Sequence, residues 1–253
     1  MADPLPTSLP QVARIVERRD ETPRVRTLVF DLHMEGRPGQ FVMAWLPGVD
    51  EKPFSLVRAR PVTLAVARVG PFTEAAFELD AGDRMWLRGP LGSPFLLPAS
   101  GSEGSGPSAG DLLLVGGGYG IAPMSFLAEQ ARERGWGVDV VIGARTAADV
   151  FYRDRFAALG ARVWVTTEDG SLGEQGLVTD AARRLMDQKQ YLGLYACGPE
   201  PMLEAVADLG LSRRIPVQLS YERYMRCGLG VCGSCSRQGW LVCRDGPVRH
   251  VMP

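Results

Sequence analysis

Histidine is scarce in this chain: His33 and His250 are the only two in 253 residues, and they stand far apart. No acid/base or nucleophile constellation for work on an organic substrate accompanies them, so such chemistry is expected on another polypeptide. Long apolar runs are also missing; none approaches the ~18 residues that suggest a membrane span. The opening MADPLPTSLPQVARIVERRDE lacks a basic segment followed by an apolar core, so neither secretion nor membrane insertion is expected and the default location is cytoplasmic. Charge bias is absent too, with 28 basic against 29 acidic residues and a net of -1, which argues against nucleic acid or an anionic membrane as partner. Cysteines number only five, an odd total, and in a reducing compartment clustered thiols are more often metal or redox ligands than disulfides.

What is present divides by pattern, and the length allows two or more domains. Residues 1–98 carry short β-branched runs broken by Gly and Pro (VARIV, VRTLVFDL, GQFVMAWLP, FSLVRA, VTLAVARV, DRMWLRGPLG), the rhythm of an antiparallel β-barrel. Residues 99–110, rich in Gly and Ser, are too poor in apolar side chains to pack and are expected to form a linker or surface loop. From 111 to 219 the apolar runs become continuous (112–116, 138–144, 161–167, 192–198, 215–220) and alternate with helix-like segments. Such runs suit strands buried on both faces, and the βα repetition predicts a doubly wound parallel α/β domain for nucleotide binding. Residues 220–253 hold the remaining module, and no internal repeat of solenoid type is evident.

Four of the five cysteines fall in that module as C-x4-C-x2-C-x7-C: Cys227, Cys232, Cys235 and Cys243. The first three have the spacing of a plant-type [2Fe–2S] site, and glycines at 228, 230 and 233 let backbone amides turn toward thiolate and sulfide charge. Zinc is the alternative, since four thiolates also make a tetrahedral site, although zinc ribbons usually pair two short knuckles and Cys243 stands alone. In the α/β segment, Gly116, Gly117, Gly118 and Gly120 leave a predicted strand and enter a predicted helix, where backbone and helix N-terminus can meet a pyrophosphate. The match to G-x-G-x-x-G is imperfect, with Pro123 in place of the third glycine, and a plain glycine turn is the alternative. A second turn, Cys197-Gly198-Pro199 followed by Met202, ends the fourth strand and could face the same crevice. Cys197 itself also reads as a small buried residue. Glu168 and Asp169 end the third strand, and carboxylates near an adenosine ribose would repel a 2′-phosphate, favouring NAD(H) over NADP(H).

KPFSL (52–56), GPLGSPF (89–95), GGGYGIAP (116–123) and ACGPEPM (196–202) occur in the order and spacing of the ferredoxin-reductase superfamily, which this chain resembles. The resemblance implies FAD on the barrel and a nicotinamide nucleotide on the α/β domain. It assigns Lys52, Pro53, Phe54 and Ser55, then Val66, Ala67, Arg68, Gly70 and Thr73, to the flavin. Lys52 stands where that family has arginine and so lacks the bidentate fork; Phe72 precedes Thr73 where a glycine is usual. More narrowly, residues 167–181, 221–236 and 242–248 resemble the electron-transfer subunit family of the NAD-dependent dihydroorotate dehydrogenase complex. That resemblance implies an FMN-containing catalytic subunit oxidising dihydroorotate to orotate, assembled as a heterotetramer with two copies of each chain. It also places Cys197 and Glu222 beside the reacting flavin and nicotinamide; Glu222 otherwise reads as a solvated carboxylate. Nicotinamide exchanges hydride, an iron–sulfur cluster takes single electrons, and a flavin can do both, so the three together convert two-electron into one-electron traffic. The glycine-rich cysteine loop is therefore expected at or near an interface. The SRQGWLV span before Cys243 is shorter than in many members of that family and similar to related subunits of sulfhydrogenase and anaerobic sulfite reductase, which are alternative settings. A zinc-stapled nucleotide-binding regulatory subunit and a standalone flavoreductase are two more.

Overall fold

The computed structural model describes residues 9–98 and 110–252; apart from Gly110, the stretch expected as a linker lies outside the described residues. Two compact units form, one from the chain up to Pro94 together with Glu222–Pro247, the other from Phe95–Tyr221 and the residues from Val248 on.

In the first unit β1 (Gln11–Thr22), β2 (Val25–Phe30), β3 (Phe41–Leu46), β4 (Asp50–Ala59), β5 (Val62–Ala67) and β6 (Arg84–Leu91), with α1 (Pro71–Phe77) between the last two, close into an antiparallel barrel of order β1-β2-β5-β4-β3-β6. Closure leaves no unpaired sheet edge. Alternation does the folding work: Ala13 and Ile15 of β1 point in while their neighbours face water, and Leu28, Met43, Leu56, Leu64 and Leu87 fill the interior with no exposed surface. Burying each such leucine contributes about 1.5–3 kcal/mol.

The second unit strings β7 (Asp111–Gly117), α2 (Ile121–Glu133), β8 (Gly137–Ala144), α3 (Arg153–Ala158), β9 (Arg162–Thr167), β10 (Glu174–Gln175), α4 (Val178–Gln188), β11 (Gly193–Cys197), α5 (Glu200–Ser212) and β12 (Val217–Ser220). Sheet order is β10-β9-β8-β7-β11-β12, all parallel. The chain thus winds outward one way from β7 and then restarts on its other side at β11. Leu112, Leu113, Leu114 and Val115 are wholly buried, as a strand covered on both faces requires. One expected helix is broken: residues 147–160 make a short 3-10 turn at Ala147–Asp149 and then α3, because Val150 is extended and Tyr152 adopts a left-handed φ of 65°. That break turns the buried rings of Phe151 and Tyr152 into edge contact at 4.8 Å.

A buried carboxylate anchors the amino ends of the strands. Asp139 on β8 accepts from Tyr191 Oη at 2.5 Å, Arg162 Nε at 2.5 Å and Lys189 Nζ at 2.6 Å, partners that a buried charge needs. This network lies at the end of the sheet opposite the glycine turns.

The C-terminal stretch departs from expectation, since residues 220–253 do not make a module of their own. After β13 (Ser236–Arg237), β14 (Trp240–Leu241) and α6 (Val242–Asp245), the chain forms β15 (Val248–Val251), which pairs antiparallel with β12 and becomes the sheet's edge. Glu222–Pro247 instead belongs with the barrel, where the amide of Ser93 donates to Gly246 O at 2.5 Å. The barrel also ends earlier than residue 98. Leu96 is bound by both ends of the Gln218 amide at 2.8 and 2.7 Å and accepts from Tyr195 Oη at 3.0 Å, all within the second unit.

Candidate functional site

The four clustered cysteines are brought together as two pairs. Cys235 Sγ and Cys243 Sγ lie 3.3 Å apart, while hydrogen bonds with Ser234 first, and with the neighbouring Cys227 second, lower the exposed Cys232 thiol to about 6. Backbone amides point at the sulfurs, from Leu229 to Cys227 at 3.3 Å, from Gly230 to Cys243 at 3.2 Å and from Cys243 to Cys235 at 3.4 Å. Donors of this kind stabilise thiolates and cluster sulfur. Burial first, and the nearby Cys235 second, push the Cys243 thiol up to about 12, so metal binding must displace its proton. Among the described residues no three His, Cys, Asp or Glu side chains converge on a single ion. Two thiol pairs are the donor set a two-iron cluster takes, two thiolates to each iron, and the residues fit that group. Gly228 makes the loop possible: its φ is 64°, and a Cβ there would lie 2.8 Å from Met43 Cγ on the barrel.

On the barrel, Lys52 is paired with Asp50 and its Nζ stands 5.2 Å from the Tyr224 ring centre, with Arg226 at 5.8 Å from the same ring. Pro53 and Ser55 are half-buried on β4, and Phe54 tilts against Phe72 of α1 at 5.8 Å. Val66 and Ala67 end β5. Arg68 pairs with Glu74 at 2.5 Å. The Thr73 hydroxyl accepts from the amides of Val69 and Gly70 and donates to Gly70 O, each at 2.9 Å; its oxygen caps α1, and its one proton and both lone pairs are committed within the turn. Glu222 keeps an exposed side chain, yet desolvation by the dense protein around it raises its carboxyl above the usual range.

The two glycine turns of the second unit do meet. Strands β7 and β11 are neighbours with Gly116 opposite Cys197, so both turns leave the carboxyl ends of strands at the point where winding reverses, the place where open α/β sheets bind ligands. Contact is so close that a Cβ on Gly120 would lie 2.2 Å from Cys197 O, and one on Gly117 2.5 Å from Met202 Sδ. Pro199 caps α5 beside Gly198, and Cys197 is buried. Glu168 and Asp169 lie farther off, beyond β9 and two strands from β7; Asp169 accepts from Ser171 Oγ at 2.6 Å, which holds its carboxyl below the ordinary range.

Sequence reasoning missed two residues that the fold places at these sites. Arg145 follows β8 directly and so is a cation one strand nearer the glycine turn than the carboxylates. Its signal was a basic residue just after the apolar run 138–144. Tyr224 sits between two cations of which Lys52 is remote in sequence, and no local spacing announces that.

Comparison with known proteins agrees with this geometry. Residues 114–208 match the oxidoreductase NAD-binding domain, and residues 222–250 match the iron-sulfur cluster binding domain of dihydroorotate dehydrogenase B. A Methanocaldococcus jannaschii protein named a probable dihydroorotate dehydrogenase B (NAD(+)), electron transfer subunit, is 39% identical, covering 94% of this chain and 89% of its own length. The correspondingly named protein of Thermococcus kodakarensis is 43% identical over 94% of this chain and 95% of itself. This chain belongs to that family. Among solved structures, an NADH-dependent reduced ferredoxin-NADP oxidoreductase studied for flavin-based electron bifurcation superposes with a TM-score of 0.81 at 28% identity, covering 95% of this chain and 88% of that one. An Amycolatopsis cytochrome P450 reductase gives 0.69 at 28% identity over 83% and 68%. Family membership makes the chain an electron-transfer subunit of an oxidoreductase, with NAD(H), FAD and an iron–sulfur cluster as its cofactors, and a subunit of this kind has a catalytic partner. Among the described residues no helix is long and apolar enough to cross a membrane.

Proposed function

We infer that this chain carries electrons between NAD(H) and an FMN-containing dihydroorotate dehydrogenase catalytic subunit, by way of FAD and a [2Fe–2S] cluster held by Cys227, Cys232, Cys235 and Cys243. The observation that carries this reading is the pairing of four thiols, three of them facing backbone amides, in a loop packed on a flavin-type barrel. When bound, the flavin supplies the exchange between hydride and single electrons. Lys52 offers charge and Ser55 and the Gly70 turn offer polar groups for its phosphates, while Val66, Ala67 and Phe54 give it apolar contact. Gly116, Gly117, Gly118 and Gly120, with Gly198, Pro199 and Met202, cradle the nicotinamide nucleotide; Glu168 and Asp169 disfavour a 2′-phosphate. Cys197 orients the nicotinamide from the nucleotide turn, and Glu222 serves the reacting flavin. The partner oxidises dihydroorotate to orotate in pyrimidine biosynthesis, the complex holds two of each chain, and it works in the cytoplasm.

Purification under mild conditions tests this. Flavin absorption, iron and sulfide in this chain, and dihydroorotate-dependent reduction of NAD+ when the FMN subunit is added back, are expected. A colourless protein holding only zinc would point to a stapled regulatory subunit and end the redox reading. The compact span from Ser236 to Val242 favours one other setting, a sulfhydrogenase or sulfite reductase complex, which a different co-purifying subunit would reveal.

A further inference from the structure

Arg88 of β6 is a nine-tenths buried cation that the flavin and nucleotide sites do not use; its side chain is 10% exposed and its Nη1 has no hydrogen-bond partner among the described residues. Its other nitrogens are committed. Nε and Nη2 donate to Glu51 of β4 at 3.1–3.3 Å, and Nη2 also donates to the carbonyl oxygen of Cys227 at 2.8 Å. Glu51 is only 25% exposed. A part-buried ion pair of the barrel therefore grips the backbone of the first cluster cysteine, and a spare buried N–H stands on the same guanidinium. An orphaned buried donor is costly, which makes the site a candidate for a ligand acceptor.

We propose that Arg88 is a positioning residue for the iron–sulfur cluster, anchoring the Cys227 end of the loop and setting, together with Glu51, the local charge that governs how readily the cluster takes an electron. The inference rests on the cluster reading above. One-electron uptake adds one negative charge to the site, and a guanidinium in a low-dielectric setting favours that charge while the Glu51 carboxylate opposes it. The two charges oppose each other as they stand. Removing one member unmasks the other, so the two substitutions act in opposite directions.

The test is an EPR-monitored potentiometric titration of the purified, flavin-containing chain, with iron and sulfide counted beside it. Arg88→Met is expected to lower the cluster midpoint potential and Glu51→Gln to raise it, with Arg88→Lys between Arg88→Met and wild type. Flavin content should stay at the wild-type level in all three. A purely structural grip would alter cluster content without the opposed shifts. Cluster-replete variants with unchanged potentials, or shifts of the same sign, would overturn the proposal. If Arg88→Met assembles no cluster, the sign seen in Glu51→Gln decides. Failure of the cluster reading itself shows separately, as a wild-type chain without iron or sulfide.

Discussion

Gly120→Ala puts a single methyl where the two nucleotide turns touch. The new Cβ would stand 2.2 Å from Cys197 O, 2.4 Å from Cys197 C and 2.7 Å from Gly198 N, against about 3.5–4.0 Å for comfortable contact between carbons. All three neighbours are backbone atoms, so no rotamer change relieves the overlap and the turns must part by roughly 1 Å or more. Overpacking of this sort costs about 1–3 kcal/mol. Borne wholly by NADH binding, that is a loss of affinity of about 5- to 150-fold; borne by folding, it lowers the melting temperature by about 2–4 °C per kcal/mol for a chain of this size. The assay is an NADH titration followed through flavin reduction, with a thermal melt of the same preparation. Gly118→Ala is the companion variant. Its Cβ meets nothing within 4 Å among the described residues, but its φ of 54° is left-handed, which costs an L-residue about 1–2 kcal/mol without wedging the turns apart. Wild-type NADH affinity together with a wild-type melt in Gly120→Ala would refute the claim that the two turns form one crevice.

Cys232→Ser should abolish the cluster while flavin binding and NADH-driven flavin reduction persist; a wild-type rate of delivery to a one-electron acceptor would contradict the proposed wiring. Glu168→Arg should relax discrimination against NADPH, read as the ratio of kcat/KM for the two nucleotides, and an unaltered ratio would remove that carboxylate from the ribose. The third concerns acid. Desolvation raises the Asp111 carboxyl, but hydrogen bonds and charge from Lys189 and Arg162 outweigh it and hold the group below its ordinary 3.8. A depressed carboxylate stabilises the fold above its unfolded pKa and ceases to do so as pH falls through the folded value. The stability advantage of wild type over Asp111→Asn should therefore be full near pH 7, begin to shrink around pH 4 and fade below it. A difference that stays constant from pH 7 to pH 3 in denaturant unfolding would show that the ion pairs are not its source.

The sequence by itself determined the two architectures, because both are written in local burial patterns. The short β-branched runs of residues 10–98, punctuated by Gly and Pro, suit barrel strands, and the continuous run Leu112–Val115 between helix-like segments suits a strand covered on both faces. The spacing of Cys227, Cys232 and Cys235 also stood in the sequence, since a loop with three ligands is a local object. Which segments meet was decided by tertiary structure. Local periodicity states that a residue is buried and is silent about what covers it. Hence the last 34 residues read as one module, while packing divides them: the cysteine loop settles on the barrel through Arg88, Met43 and Ser93, and Val248–Val251 completes the edge of the nucleotide sheet. The same reason hid the helix break at Tyr152, the Gly120–Cys197 contact and the Arg88–Glu51 grip on Cys227, three features that depend on backbone conformation and on partners brought together only when the chain folds.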